Sequence, residues 1–145
     1  MISQSLLETE ALAKKIATQS SKRIFALSGD LGSGKTTLIQ FFLKALGVTE
    51  KITSPTFLII KNYQLPITNN QFRKAYHIDC YRLKDPTELL NLDFKNIIKN
   101  EENLILIEWA EKVGELLPEG VVWIHFKHGP TEQERIINYE NLLNN

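Results

Sequence analysis

The residues best equipped for chemistry stand together in Gly29-Asp30-Leu31-Gly32-Ser33-Gly34-Lys35-Thr36-Thr37. The stretch satisfies G-x-x-x-x-G-K-[ST] at every required position, the pattern of a phosphate-binding loop. Glycines at these places let the backbone fold into a concave nest whose N–H groups face inward, and the positive end of a following helix strengthens the field there. In such a loop Lys35 reaches the β- and γ-phosphates and the Thr36 hydroxyl holds Mg²⁺.

Other chemistry-bearing residues lie further along. In Ile52-Thr53-Ser54-Pro55-Thr56-Phe57 the proline forces Ser54 into an extended conformation and leaves hydroxyls close together on a stiff segment. Spacing alone allows two readings, a segment that senses the γ-phosphate or a proline turn entering a strand. Strand alternation in Tyr76-His77-Ile78-Asp79-Cys80-Tyr81-Arg82 puts Ile78 and Cys80 on a core face and His77, Asp79 and Tyr81 on the other. Glu108 ends the aliphatic run Leu104-Ile105-Leu106-Ile107, where open α/β sheets place ligand groups and phosphate-loop enzymes place the acid that supports Mg²⁺ or water. Trp109 either stacks on a base or caps the core, and Arg135 is a cation available to a nucleotide. His125 and His128 lack metal-ligand companions at useful spacing and read as ordinary.

The loop requires a strand before it and a helix after it. Arg23-Ile24-Phe25-Ala26-Leu27-Ser28 supplies the apolar strand; residues 35–46 supply the helix, with Gly47 placed to end it. An amphipathic helix is expected over residues 3–19, its stripe formed by Leu6, Thr9, Ala13, Ile16 and Ala17, and its start is a candidate wall for a base pocket. Residues 57–63 and 72–76, the second continuing to Arg82, predict a long antiparallel hairpin around the polar connection 64–71. A helix beginning at Asp85-Pro86-Thr87-Glu88 carries an N-cap, a first-position proline and a capping-box glutamate. A helical turn or two at 93–100, a buried strand at 103–109, a short helix at 110–117 and strands at 121–126 and 135–139 complete the chain. The fold class expected is α/β: one phosphate-loop domain over residues 1–145, with a mixed, mostly parallel sheet and flanking helices.

The 145-residue length suits a single core that buries roughly 68–70% of the unfolded surface. With 17 basic and 17 acidic residues, the formal net charge is zero, which removes bulk attraction for nucleic acid. Any RNA affinity is therefore expected to come largely through partners. The single cysteine, Cys80, excludes an intramolecular disulfide. No apolar run has the length of a membrane span, and no secretory signal pattern opens the chain, so a cytoplasmic location without membrane attachment is expected.

The phosphate loop, Ser54-Pro55-Thr56-Phe57, His77-Ile78-Asp79-Cys80-Tyr81-Arg82 and Ile107-Glu108-Trp109 together closely resemble the bacterial TsaE family, also called YjeE. The resemblance spans essentially the whole chain, and the combination is far more specific than the loop alone. It implies an ATPase that works with TsaB and TsaD in forming threonylcarbamoyladenosine beside the anticodon of tRNAs reading codons that begin with A. Such a protein is not itself the transferase, and it meets tRNA indirectly through the complex. On the family pattern Gly32, Ser33, Gly34, Lys35, Thr36 and Thr37 would cradle the phosphates of ATP, and Thr36 with Glu108 would hold Mg²⁺. Asp79 would stand near the metal or the water, while Ser54 and Thr56, with His77, Tyr81 and Arg82, would behave like a switch. Trp109 and Arg135 would flank the nucleotide.

The chemistry implied is in-line attack of water on the γ-phosphorus, with Lys35 and the loop amides stabilising charge and Glu108 or Asp79 orienting the water. Arg82 is a candidate arginine finger. Turnover is expected to be slow alone and stimulated by TsaB and TsaD. The rivals are a small-molecule kinase, for which no arginine-bearing lid is evident, and a nucleotide-dependent binding subunit without turnover. A GTPase is disfavoured because no N-K-x-D motif occurs.

Overall fold

The structure, a computed structural model, describes residues 1–67 and 71–140. Its framework is a seven-stranded sheet built from β1 (Ile2–Ser3), β2 (Ile24–Gly29), β3 (Ile60–Gln64), β4 (Lys74–Asp79), β5 (Asn103–Glu108), β6 (Val122–His128) and β7 (Arg135–Glu140). The spatial order is β1-β7-β6-β2-β5-β4-β3. The central strands β6, β2, β5 and β4 run parallel; β3 and β7 pair antiparallel to their neighbours, and β1 turns back to the majority direction. The sheet is thus mixed and mostly parallel, as expected.

Placement follows from side-chain chemistry. All six residues of β5 are buried, which is what an unbroken aliphatic strand requires when it is flanked on both edges and covered on both faces. On one face, α1 (Leu6–Gln19) and α2 (Lys35–Ala45) cover a core that includes Ile16, Phe25, Leu27, Leu38, Phe42 and Leu106. Phe25 meets Phe42 edge-on at 5.2 Å, the arrangement ring quadrupoles favour. On the other face, α3 (Thr87–Leu90), α4 (Phe94–Lys99) and a 3-10 helix (Ala110–Leu116) cover Ala26, Ile78, Leu89, Phe94, Ile107 and Val113.

Several expectations are corrected. The first helix does not begin at Ser3: that residue lies in β1, opposite Arg135, and Ser5 caps α1 by accepting from the Glu8 N–H. The partner strand stands more than a hundred residues away, so no local periodicity could register it. Leu6 is 54% exposed, and Leu12 occupies the buried stripe in its place. Residues 57–59 form a turn, not the start of a strand: the Pro55 carbonyl accepts from the N–H groups of Leu58 and Ile59, and Phe57 is 83% exposed. The hairpin pairs Ile60 with Ile78 through Gln64 with Lys74; residues 68–70 of its connection lie outside the described residues. α3 begins at Thr87, with the Asp85 carboxylate accepting the Thr87 N–H at 2.8 Å and Glu88 reaching back to the Lys84 N–H at 2.8 Å.

Candidate functional site

The phosphate loop connects the C-terminal end of β2 to α2, and close packing makes two of its glycines obligatory. Gly29 has φ +139°, and a β-carbon there would stand 2.3 Å from the Phe126 carbonyl oxygen. Gly34 has φ +110°, and its β-carbon would meet Arg135 Nε at 2.4 Å. Only glycine meets both the conformational and the steric demand. Gly34 also occupies the cap position of α2 without a side-chain cap, so the unpaired N–H groups of that first turn remain available to an anion.

Lys35 is buried, and its ammonium donates to the carbonyls of Gly29 and Asp30 (2.8 Å to the latter) while standing 4.1 Å from the centre of the Trp109 ring. Desolvation lowers its pKa from the ordinary 10.5, with Glu108 opposing most strongly among the neighbouring acids. Trp109 holds this place through a left-handed backbone (φ +57°, ψ +37°) at the junction of β5 with the 3-10 helix. Its ring lies 5.0 Å from that of Tyr81. Positive φ in a bulky residue is uncommon and concentrates at functional positions.

Two carboxylates stand side by side where β4 and β5 end, since Asp79 is paired with Glu108 in the sheet register. Glu108 Oε1 accepts the Thr36 hydroxyl at 2.6 Å, and Oε2 contacts His77 Nε2 at 2.6 Å. Asp79 Oδ2 accepts the hydroxyls of Ser54 (2.7 Å) and Thr56 (3.1 Å), and Oδ1 accepts the Tyr81 N–H at 2.9 Å. Glu108 therefore ties the phosphate loop to the sheet, and Asp79 ties the 54–56 segment to it. At 3% exposed, Asp79 is nearly as buried as the core, and His77 is completely so. The face expected to be chemically equipped is therefore also a packed one.

A cleft of about 330 Å³ gathers the predicted residues. Gly32, Ser33, Gly34, Lys35, Thr36 and Thr37 form one side; Ser54, Thr56, Asp79, Tyr81, Glu108, Trp109 and Arg135 close the rest. Two residues of the expected switch group do not line it. His77 stands behind Glu108, and the Arg82 guanidinium lies 4.2 Å over the Phe57 ring. Sequence reasoning missed Leu31, which lines the cleft, and His128, whose Nε2 bonds the Leu31 carbonyl at 3.1 Å. It also missed the bond between His125 Nδ1 and the Ser28 hydroxyl. These contacts bring β6 against β2 and the loop; no motif announces them, because they depend on strand order.

The model of the family described as "Threonylcarbamoyl adenosine biosynthesis protein TsaE" matches residues 3–137. The chain belongs to the TsaE family. It is 37% identical over 130 residues to the tRNA threonylcarbamoyladenosine biosynthesis protein TsaE of Bacillus subtilis, covering 89% of this chain and 77% of that one. The protein of the same name from Rickettsia bellii is 35% identical over 131 residues, with 86% of each chain covered. The crystal structure of Bacillus subtilis YdiB superposes with a TM-score of 0.71 at 30% identity, over 96% of this chain and 82% of that one. Membership of the TsaE family places the chain in tRNA threonylcarbamoyladenosine biosynthesis, and the family together with the phosphate-loop fold implies nucleotide binding. No helix among the described residues is long and apolar enough to cross a membrane.

Proposed function

We propose that the chain binds and hydrolyses ATP with Mg²⁺, and that turnover supports a TsaB–TsaD complex in forming threonylcarbamoyladenosine on tRNA. The observation that carries this reading is the 2.6 Å bond from the Thr36 hydroxyl to Glu108. It joins the end of the phosphate loop to the acid at the end of β5, the two groups this chemistry needs on either side of a metal.

The residues fit the groups they would hold. The Gly34 cradle, which a β-carbon would close, and the buried Ser33 hydroxyl and Arg135 Nε, both without partners among the described residues, are suited to an anionic ligand. Thr36 commits its hydroxyl proton to Glu108, which leaves oxygen lone pairs for a cation. Among the described residues no cluster of three or more acidic, histidine or cysteine side chains is arranged around a metal; Mg²⁺ with nucleotides is commonly held by one or two carboxylates plus phosphates and water. When bound, Mg²⁺ neutralises charge on the phosphoryl oxygens.

The chain's own groups divide the remaining work. Lys35 and the free N–H groups of the loop and α2 bind the phosphates and stabilise charge that develops on them. Lys35 leaves its carbonyl partners to do so, exchanging one set of oxygen acceptors for another. Glu108 or Asp79 orients the water. Asp79, which accepts from Ser54, Thr56 and the Tyr81 backbone, also holds the switch-like segment against the cleft. Arg135 also borders a second cleft, of about 430 Å³, between the start of α1 and Glu132-Gln133, which is where the base would lie.

The test is product analysis with Mg-ATP and a panel of small hydroxylated acceptors. ADP and inorganic phosphate in equal amounts, without a phosphorylated acceptor, support the proposal; a phosphorylated acceptor would establish a kinase instead.

A further inference from the structure

We infer that His77 is a positioning residue for Glu108, holding its carboxylate so that the Thr36 hydroxyl and a bound cation meet it in one fixed orientation. This rests on the reading above that Thr36 and Glu108 serve Mg²⁺.

The register makes the arrangement rigid. His77 is opposite Leu106, and Glu108 follows Leu106 by two residues on the same face, so the two side chains are diagonal neighbours on paired strands. Their contact is 2.6 Å, with His77 completely buried and Glu108 2% exposed. A carboxylate can only accept, so Nε2 carries the hydrogen, and Oε1 is left for Thr36. His77 Nδ1 has no partner among the described residues. A position serving packing alone would carry an apolar side chain there; the imidazole leaves a buried nitrogen unpaired. What it gains is one directed hydrogen bond to the acid of the site. Partners of this kind orient ligating groups, and their loss typically costs ~10–100-fold in metal affinity or activity.

Three variants separate a positioning role from packing. Glutamine can present an amide N–H near the place of Nε2, asparagine presents one near Nδ1, and leucine presents none. ADP affinity is measured by calorimetry in EDTA and in Mg²⁺, alongside the Mg²⁺ concentration giving half-maximal ATP turnover. His77→Gln is expected to keep the Mg²⁺-dependent gain in affinity. His77→Asn and His77→Leu are expected to bind ADP normally in EDTA, to need ~10–100-fold more Mg²⁺, and to lose kcat with little change in KM for ATP. If His77→Leu does not fold, the Gln and Asn pair carries the same comparison. A native Mg²⁺ response in His77→Asn, or equal loss in Gln and Asn, would overturn the inference. Absence of any Mg²⁺-dependent ADP binding or turnover in the unaltered protein would instead remove the parent proposal.

Discussion

Replacing Glu108 with glutamine changes one atom and tests how the carboxylate is used. In the native chain both oxygens accept, one from Thr36 Oγ1 and one from His77 Nε2, each at 2.6 Å. An amide has a single acceptor. If its oxygen faces Thr36, the NH₂ group faces Nε2, and His77 must move its hydrogen to Nδ1, where no described residue accepts it. If the amide oxygen faces His77 instead, Thr36 must accept from the NH₂ group and spends a lone pair otherwise free for a cation. Either way one hydrogen is left without its native acceptor, on the buried His77 Nδ1 in the first arrangement or on the Thr36 hydroxyl in the second, at a cost of about 1–3 kcal/mol. For a chain of this size that corresponds to a Tm about 3–9 °C lower, at roughly 3 °C per kcal/mol. Differential scanning calorimetry and phosphate release on the same preparation measure both effects, with turnover expected to fall at least ~10-fold. A Glu108→Gln protein with native Tm and native turnover would refute the argument, since no arrangement of the amide keeps both contacts with their native donors.

Three further outcomes are expected. Gly34→Ala places a methyl group against Arg135 in a left-handed backbone, so Tm should fall by the equivalent of ~1–2 kcal/mol and ADP should bind more weakly by calorimetry; unaltered ADP affinity would contradict the cradle. Asp79→Asn keeps the volume but weakens the acceptor shared by Ser54 and Thr56, so amide exchange over residues 54–59 should quicken ~5–10-fold, the equivalent of about 1 kcal/mol. Exchange confined to its native rate would place the hold on that segment elsewhere. Burial lowers the Lys35 pKa below 10.5, so between its folded value and 10.5 the unfolded chain binds more protons and native stability rises with pH. Denaturant melts should therefore show the native protein gaining on Lys35→Met as pH climbs toward 10.5, and a gap that narrows over that range would reverse the sign.

What could be read from the sequence divides along the range of the interactions. The phosphate loop was legible because its glycines, lysine and threonine are consecutive, and the apolar runs of β2 and β5 because burial on both faces leaves no polar residue in them. Glu108 was legible through its position at the end of such a run. The pairing of β1 with β7 was not, since two residues carry no periodicity and their partner lies at the other end of the chain. Phe57 to Ile59 read as strand by residue type, yet Pro55 and the bonds from Ser54 and Thr56 to Asp79 hold the segment in a turn with Ile59 at φ +67°. Alternation correctly put His77 and Asp79 on one face, but not their burial, which belongs to the assembled fold. The supports from His125 and His128 required the position of β6 beside β2, a property of the assembled sheet.

The central claim, that the cleft is a hydrolytic site supporting TsaB and TsaD, is most directly tested by steady-state phosphate release from Mg-ATP. The purified chain is assayed alone and with TsaB and TsaD, in its native form and as Lys35→Ala and Glu108→Ala. Slow release that the partners accelerate, and that both substitutions abolish, is the result expected. Equal turnover with and without the partners, or release that survives both substitutions, would contradict the account.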